Sequence, residues 1–168
     1  MAWLANCSSN DELWDELLQF GVVNKSHVDA FKSVDRGKFV PDEIKHSAYN
    51  DCPLRSGCYH LSAPHIYAMA LESLQLIPHV SVLNVGCGSG YFQCVIAAKL
   101  GIGSVIHGIE IIQELVDQSR TVCNEWLVNW LIKNHGRLFS HSTPINFKIV
   151  AGNCFLMKLK DKHQYDRY

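Results

Sequence analysis

At 168 residues, with 48% apolar and 18% charged side chains, the chain is long enough to bury a core and too apolar to stay disordered. A net charge of −1 provides no basic field, so binding to a nucleic-acid backbone has no electrostatic support. No stretch approaches a membrane span, no charged leader precedes an apolar run, and Ala2 excludes N-myristoylation, so a cytoplasmic chain without a signal peptide is expected. The seven cysteines are an odd number without a C-x-x-C pair. Cys87, Cys94, Cys123 and Cys154 fall inside apolar segments, which points to reduced thiols packed as small hydrophobes rather than to disulfides or zinc. The sequon Asn6-Cys7-Ser8 is accordingly expected to stay unmodified.

In chain order, Ser9 to Glu12 makes a capping box ahead of Leu13, Leu17 and Leu18, predicting a first helix closed by Gly21. Ser26 to Asp29 repeats the signature before Val28, Phe31 and Val34. Residues 36 to 61 hold glycines, prolines and aromatics without periodicity and read as loop. Ser62 then caps a helix with Pro64 in its first turn and Ile66, Ala70, Leu74 and Ile77 turned inward. Beyond it the pattern predicts strand, helix, strand, a long helix over about 112 to 135 closed by Gly136, a loop, and a strand. Lys158, Lys160 and Lys162, interrupted by Asp161, read as a solvated face. The order is that of a doubly wound α/β sheet preceded by helices.

The run Val82-Leu83-Asn84-Val85-Gly86-Cys87-Gly88-Ser89-Gly90-Tyr91 is a strand that breaks into three glycines and flows into a helix. Such a turn lets the backbone approach a ligand, which the helix N-terminus also faces. A dinucleotide fingerprint would place its third glycine at Tyr91; here it is Gly90, the spacing of S-adenosylmethionine-dependent methyltransferases. Ser104 to Ile109 reads as a buried strand ending at Glu110, a carboxylate about twenty residues beyond the loop that can accept the hydroxyls of a ribose. Asn146 to Ala151 reads as another strand, followed by Gly152 and Asn153, whose amide can accept from an adenine amino group. The alternatives are a plain strand-to-helix turn and a solvated acid favoured by a helix dipole.

With these residues in place, the chain resembles the protein-L-isoaspartate O-methyltransferases. The motif Leu61-Ser62-Ala63-Pro64-His65 carries the likeness, with Asp35-Arg36 and the Gly108-Ile109-Glu110 step. Within that family it is most similar to the isoaspartate-methyltransferase-domain-containing branch. The marks of that branch are Asn84, His107-Gly108-Ile109-Glu110, Gly152-Asn153-Cys154 and His163-Gln164-Tyr165-Asp166-Arg167. The resemblance implies a Rossmann-like class I methyltransferase fold with N-terminal helices, truncated after the third strand. Residues 1–80 would form a helical, substrate-side segment and 81–168 an incomplete cofactor-binding segment of one structural domain. The closing Gln164 to Tyr168 reads as the opening of a fourth strand. Without the rest of it the Leu83 strand is expected to present an apolar, unpaired edge, as in a fragment or in a domain that dimerises there.

The implied activity is methylation of isoaspartyl side chains in damaged peptides or proteins, with S-adenosyl-L-methionine as cofactor and no metal. The carboxylate is already ionised at neutral pH and needs no general base, so the work is alignment. By resemblance Ser62 is the active-site hydroxyl, and Tyr59, His60, Leu61, Ser62 and Tyr67 flank the cofactor. Val85, Gly86, Cys87, Gly88, Ser89 and Gly90 cradle its methionine part, Glu110 holds the ribose, and Gly152 with Asn153 the adenine. Read locally, Ser62 is equally a plain helix cap. The repair enzymes carry aspartate where this chain has Asn84 and Asn153, and histidine at Tyr67. Losing one such carboxylate near the cofactor's ammonium costs roughly 1.5–3 kcal/mol. Two other readings follow. One is a non-catalytic adaptor of a cullin-type ubiquitin ligase, which would need a C-terminal extension to dock on elongin and cullin. The other is an inactive truncated fragment.

Overall fold

The structure is a computed structural model that describes residues 6–135, 145–157 and 165–168. The chain divides into two compact units, Met1–Gln75 and Leu76–Tyr168. Gly136 and the lysines at 158, 160 and 162 lie outside the described residues.

The first unit is built on α1 (Asn10–Gln19), α2 (Lys25–Lys32) and α3 (Pro64–Ser73), with the short hairpin of β1 (Leu54–Ser56) and β2 (Tyr59–Leu61) before α3. Helix α1 buries Leu13, Trp14 and Leu17 and packs on α2, which buries Val28 and Phe31; the rings of Trp14 and Phe31 stack with centroids 4.0 Å apart. Ser9 caps α1 as expected by accepting the Glu12 N–H, but Glu12 reaches back to Ser8 rather than to Ser9. The cap of α2 is Asn24, not Ser26; its side chain accepts the Ser26 N–H two residues on. Residues 36 to 61 are not loop throughout. They form two 3-10 turns (Arg36–Phe39 and Asp42–Ser47) and the hairpin, elements too short to show a period. Fully buried Arg36 holds this segment together by donating from Nε to the Ala48 carbonyl and from Nη2 to that of Cys52.

The N-cap of α3 is Ala63 and supplies no side-chain bond, so Ser62 is not the cap. Pro64 at the first helical position has no N–H, and the next amide, that of His65, is taken by Asp51 from outside the helix. The inward face carries Pro64, Ala68 and Leu71, while Ile66 is exposed and Ile77 lies beyond the helix end. Apolar residues surround so much of this helix that periodicity alone selects no unique face.

The second unit holds a parallel sheet of β3 (Ser81–Val85), β4 (Val105–Glu110) and β5 (Asn146–Ala151) in that order, joined through α4 (Tyr91–Leu100) and α5 (Gln113–His135). This is the strand–helix–strand half of a Rossmann-like sheet, with the expected strands displaced by no more than a residue. Helix α4 is mostly buried: Tyr91, Gln93, Cys94, Val95, Ile96 and Ala97 all point inward. Gln93 lies across the sheet where Gly108 lacks a side chain, donating to the carbonyls of Ile106 on β4 and Lys148 on β5. The β3 edge is not left bare. Arg167 bridges Val82 in parallel, Leu83 N–H donates to the Arg167 carbonyl at 3.0 Å, and the Asp166 carboxylate accepts from the Ser81 N–H and hydroxyl at 2.7 Å each. The expected fourth strand therefore opens beside the first.

Candidate functional site

In the first unit the candidate residues cluster on β2 and the start of α3. Strand alternation turns Tyr59 and Leu61 inward and leaves His60 exposed. The Tyr59 hydroxyl donates to the Phe39 carbonyl at 2.7 Å, so this ring anchors the hairpin to the preceding 3-10 turn. Ser62 follows, half-buried, and its N–H donates to the Tyr67 hydroxyl at 3.2 Å. Burial pushes the Tyr67 phenol up, against the opposing pull of the Arg36 guanidinium and of the Ser62 hydrogen bonds. Tyr67 is therefore a neutral O–H group that grips the Ser62 turn.

In the second unit Gly86, Gly88 and Gly90 all take left-handed φ angles. At two of them the reasons differ. A Cβ at Gly90 would stand 2.3 Å from Cys123 Sγ and 3.2 Å from Ile149 Cδ1, so this glycine permits α5 and β5 to close on the turn. A Cβ at Gly86 would meet nothing within 4 Å, so there the backbone faces open space that a ligand can enter. Gly86 and Cys87 both donate N–H bonds to the Ile109 carbonyl, which ties the loop to the end of β4. Burial, and after it the neighbouring Glu110 and Cys123, pushes the Cys87 thiol up to about 12, so it stays a neutral packing group. Ser89 is half-buried and its hydroxyl lies 3.4 Å from the Tyr91 N–H; Val85, just before the turn, is 49% exposed.

Glu110 is buried, and its carboxylate does more than the strand pattern foretold. Oε2 accepts the Gly88 N–H at 2.9 Å, and Oε1 accepts those of Ile111 and Ile112 at 2.8 and 3.1 Å. Three of the roughly four acceptor positions of a carboxylate are thus engaged, leaving about one on Oε2 for a hydroxyl from outside. The Gly152 N–H donates to the Glu110 carbonyl at 2.9 Å, so the glycine loop, Glu110 and Gly152 converge at the carboxyl ends of neighbouring strands. Asn153 follows, its Oδ1 accepting the Phe155 N–H at 3.0 Å with a second lone pair remaining. Open backbone at Gly86, a carboxylate at the end of β4 and an amide beyond β5 fit an adenosyl cofactor.

Two further residues stand out that sequence reasoning left without a role. Asp51, whose side chain is fully buried, pairs with the ring and backbone of His65; Gln93 braces the sheet beneath the glycine loop. Asp51 sits in an aperiodic stretch, and Gln93 is a single amide within an apolar helix. Among the described residues no group of three or more His, Cys, Asp or Glu side chains could hold a metal ion, and no helix is long and apolar enough to cross a membrane.

Comparison with known proteins identifies the family. The model of the protein-L-isoaspartate(D-aspartate) O-methyltransferase family matches residues 8–137. A protein-L-isoaspartate O-methyltransferase of Caenorhabditis elegans is 41% identical over 124 residues, 71% of this chain and 53% of the relative. Its counterpart in Fervidobacterium nodosum is 40% identical over 110 residues, 65% of this chain and 55% of the relative. The chain thus spans about half the length of the curated relatives it matches. Among solved structures, a protein-L-isoaspartate O-methyltransferase from Plasmodium falciparum in complex with S-adenosyl-L-homocysteine superposes with a TM-score of 0.71 at 26% identity, covering 90% of this chain and 66% of that one.

Proposed function

Because the chain belongs to the protein-L-isoaspartate O-methyltransferase family, we propose that it carries the cofactor-binding and substrate-holding parts of an enzyme that methylates isoaspartyl side chains in damaged proteins. The observation that supports this most is the convergence of the open Gly86 turn, the Glu110 carboxylate and Gly152 at neighbouring strand ends. S-adenosylmethionine, when bound, supplies an electrophilic methyl group. The chain's own residues bind and orient: the Val85 to Gly90 turn offers backbone to the methionine part, Glu110 its free acceptor to a ribose hydroxyl, and Gly152 with Asn153 the adenine edge. In the first unit, the Tyr59-His60-Leu61 strand leads into Ser62, whose hydroxyl donates to the substrate carboxylate, and Tyr67 fixes the Ser62 backbone. The carboxylate is ionised at neutral pH, so none of these groups needs to take a proton. A cytoplasmic setting is part of the proposal and is supported by seven cysteines that are all free thiols.

A thermal melt with and without S-adenosylmethionine tests the cofactor assignment. A ligand held at ~100 times its dissociation constant adds about 2.7 kcal/mol to the native state, an upward shift of several degrees. A cooperative melt that does not move would refute cofactor binding. Transfer of labelled methyl to an isoaspartyl peptide, absent for the aspartyl peptide and reduced in Ser62→Ala, tests the reaction.

A further inference from the structure

Asp51 and His65 form a pair that the methyl-transfer reading does not use. The Asp51 side chain is 0% exposed; its Oδ1 accepts the His65 backbone N–H at 3.0 Å, and both carboxylate oxygens lie 2.9 Å from His65 Nδ1. A carboxylate only accepts, so Nδ1 carries the hydrogen, and the ring is fixed in both tautomer and direction. The backbone bond supports the first turn of α3, where no side-chain cap is present. The second contact holds an imidazole whose Nε2 stays outside the pair, on a side chain 37% exposed. Ser62 lies three residues before His65, with its own backbone held by Tyr67, so the serine and the clamped imidazole belong to the same helix start.

Resting on the isoaspartyl reading above, the geometry points to His65, oriented by Asp51, as a second anchor that holds the substrate carboxylate beside Ser62. The anchor requires a ring that donates at both nitrogens, Nδ1–H to Asp51 and Nε2–H to the substrate. No proton changes hands; the ring contributes charge and direction. It thereby selects a carboxylate over a neutral group of the same shape, and Asp51 acts as the positioning residue behind it.

Binding without turnover tests the anchor. The whole chain, saturated with S-adenosylhomocysteine, is titrated by fluorescence anisotropy with a labelled isoaspartyl peptide and with its side-chain amide counterpart. The wild-type chain should prefer the carboxylate at least tenfold. His65→Ala should reduce that preference toward parity, a loss on the order of ten- to a hundredfold for a charge-assisted hydrogen bond, while leaving S-adenosylhomocysteine binding unchanged. His65→Gln, which keeps an N–H donor but no charge, should fall between, and it decides the matter if the alanine variant does not fold. Asp51→Asn should weaken the preference with His65 still in place. If His65→Gln and a folded His65→Ala keep the full wild-type preference, the anchor is overturned and the isoaspartyl reading stands. A wild-type chain that binds neither peptide overturns both.

Discussion

In the second unit the turn after β3 is shaped by residues without side chains, whereas in the first unit the turn before α3 is shaped by side chains that arrive from far along the chain. Gly86 and Gly90 supply the left-handed backbone beside the strand and helix they join, and the more distant Ile109, Glu110 and Cys123 then pack or bond onto a turn already set by glycine. Asp51 reaches His65 across fourteen positions, and buried Arg36 ties down the Ala48 and Cys52 carbonyls around that loop. A turn written in local backbone chemistry announces itself in sequence; one held by distant partners does not.

The largest test of this contrast is Gly90→Val. The left-handed φ costs roughly 1–2 kcal/mol for a side chain, and the collision with Cys123 and Ile149 adds roughly 1–3 kcal/mol of overpacking. Urea unfolding should therefore show a loss of about 2–5 kcal/mol. A loss below 1 kcal/mol would mean that α5 and β5 do not close on the turn as described. In the first unit the matching variant is Asp51→Ala, which strands the His65 amide without its acceptor and should cost about 1–3 kcal/mol. If it costs nothing, water replaces the carboxylate and the long-range hold is dispensable.

Gly86→Ala sharpens the comparison within the loop itself. Its φ penalty of roughly 1–2 kcal/mol comes without any collision, so the fold should survive where Gly90→Val strains it. Cofactor affinity should fall all the same, because the new methyl group occupies the space a ligand enters. Melts with and without S-adenosylhomocysteine separate the two effects. An alanine variant that binds as well as wild type would show that the open side of Gly86 faces bulk solvent only.

The same contrast explains what could be read in advance. The β3–α4–β4–α5–β5 order was legible because each element is a long apolar or helix-forming run punctuated by glycine or a polar strand end, even where, as in α4, burial all round leaves no period. Glu110 was legible as a strand-end acid, but not its engagement with Gly88, Ile111 and Ile112, since backbone amides leave no mark in a sequence. In the first unit the helices and the Ser9 cap of α1 were legible, but the caps of α2 and α3 were not; for α2, Asn24 and Ser26 are comparable cap residues two positions apart. The hairpin escaped notice because three-residue strands carry no periodicity. Ser62 was singled out through its motif; the carboxylate that supports the start of the following helix was not, because Asp51 lies where local rules predict only loop.

Asp166 offers the finest test, because it joins the two strategies: a side chain far along the sequence that docks on backbone. The Ser81 N–H, and after it the Ser81 hydroxyl, hold the Asp166 carboxyl below the usual carboxylate range. A depressed folded-state pKa means that the contact stabilises fully above the ordinary aspartate value and is lost as pH falls through the depressed one. The Ser81 amide resonance should accordingly titrate with a midpoint below that of a free aspartate, and Asp166→Asn should abolish the titration. The residue is exposed, so the effect belongs to the docking of Asp166–Arg167 against β3 rather than to global stability, and salt should weaken it. A midpoint at or above the ordinary value would show that Asp166 does not hold Ser81. The Leu83 N–H to Arg167 carbonyl bond would then be left to keep the fourth strand beside the first on backbone contacts alone.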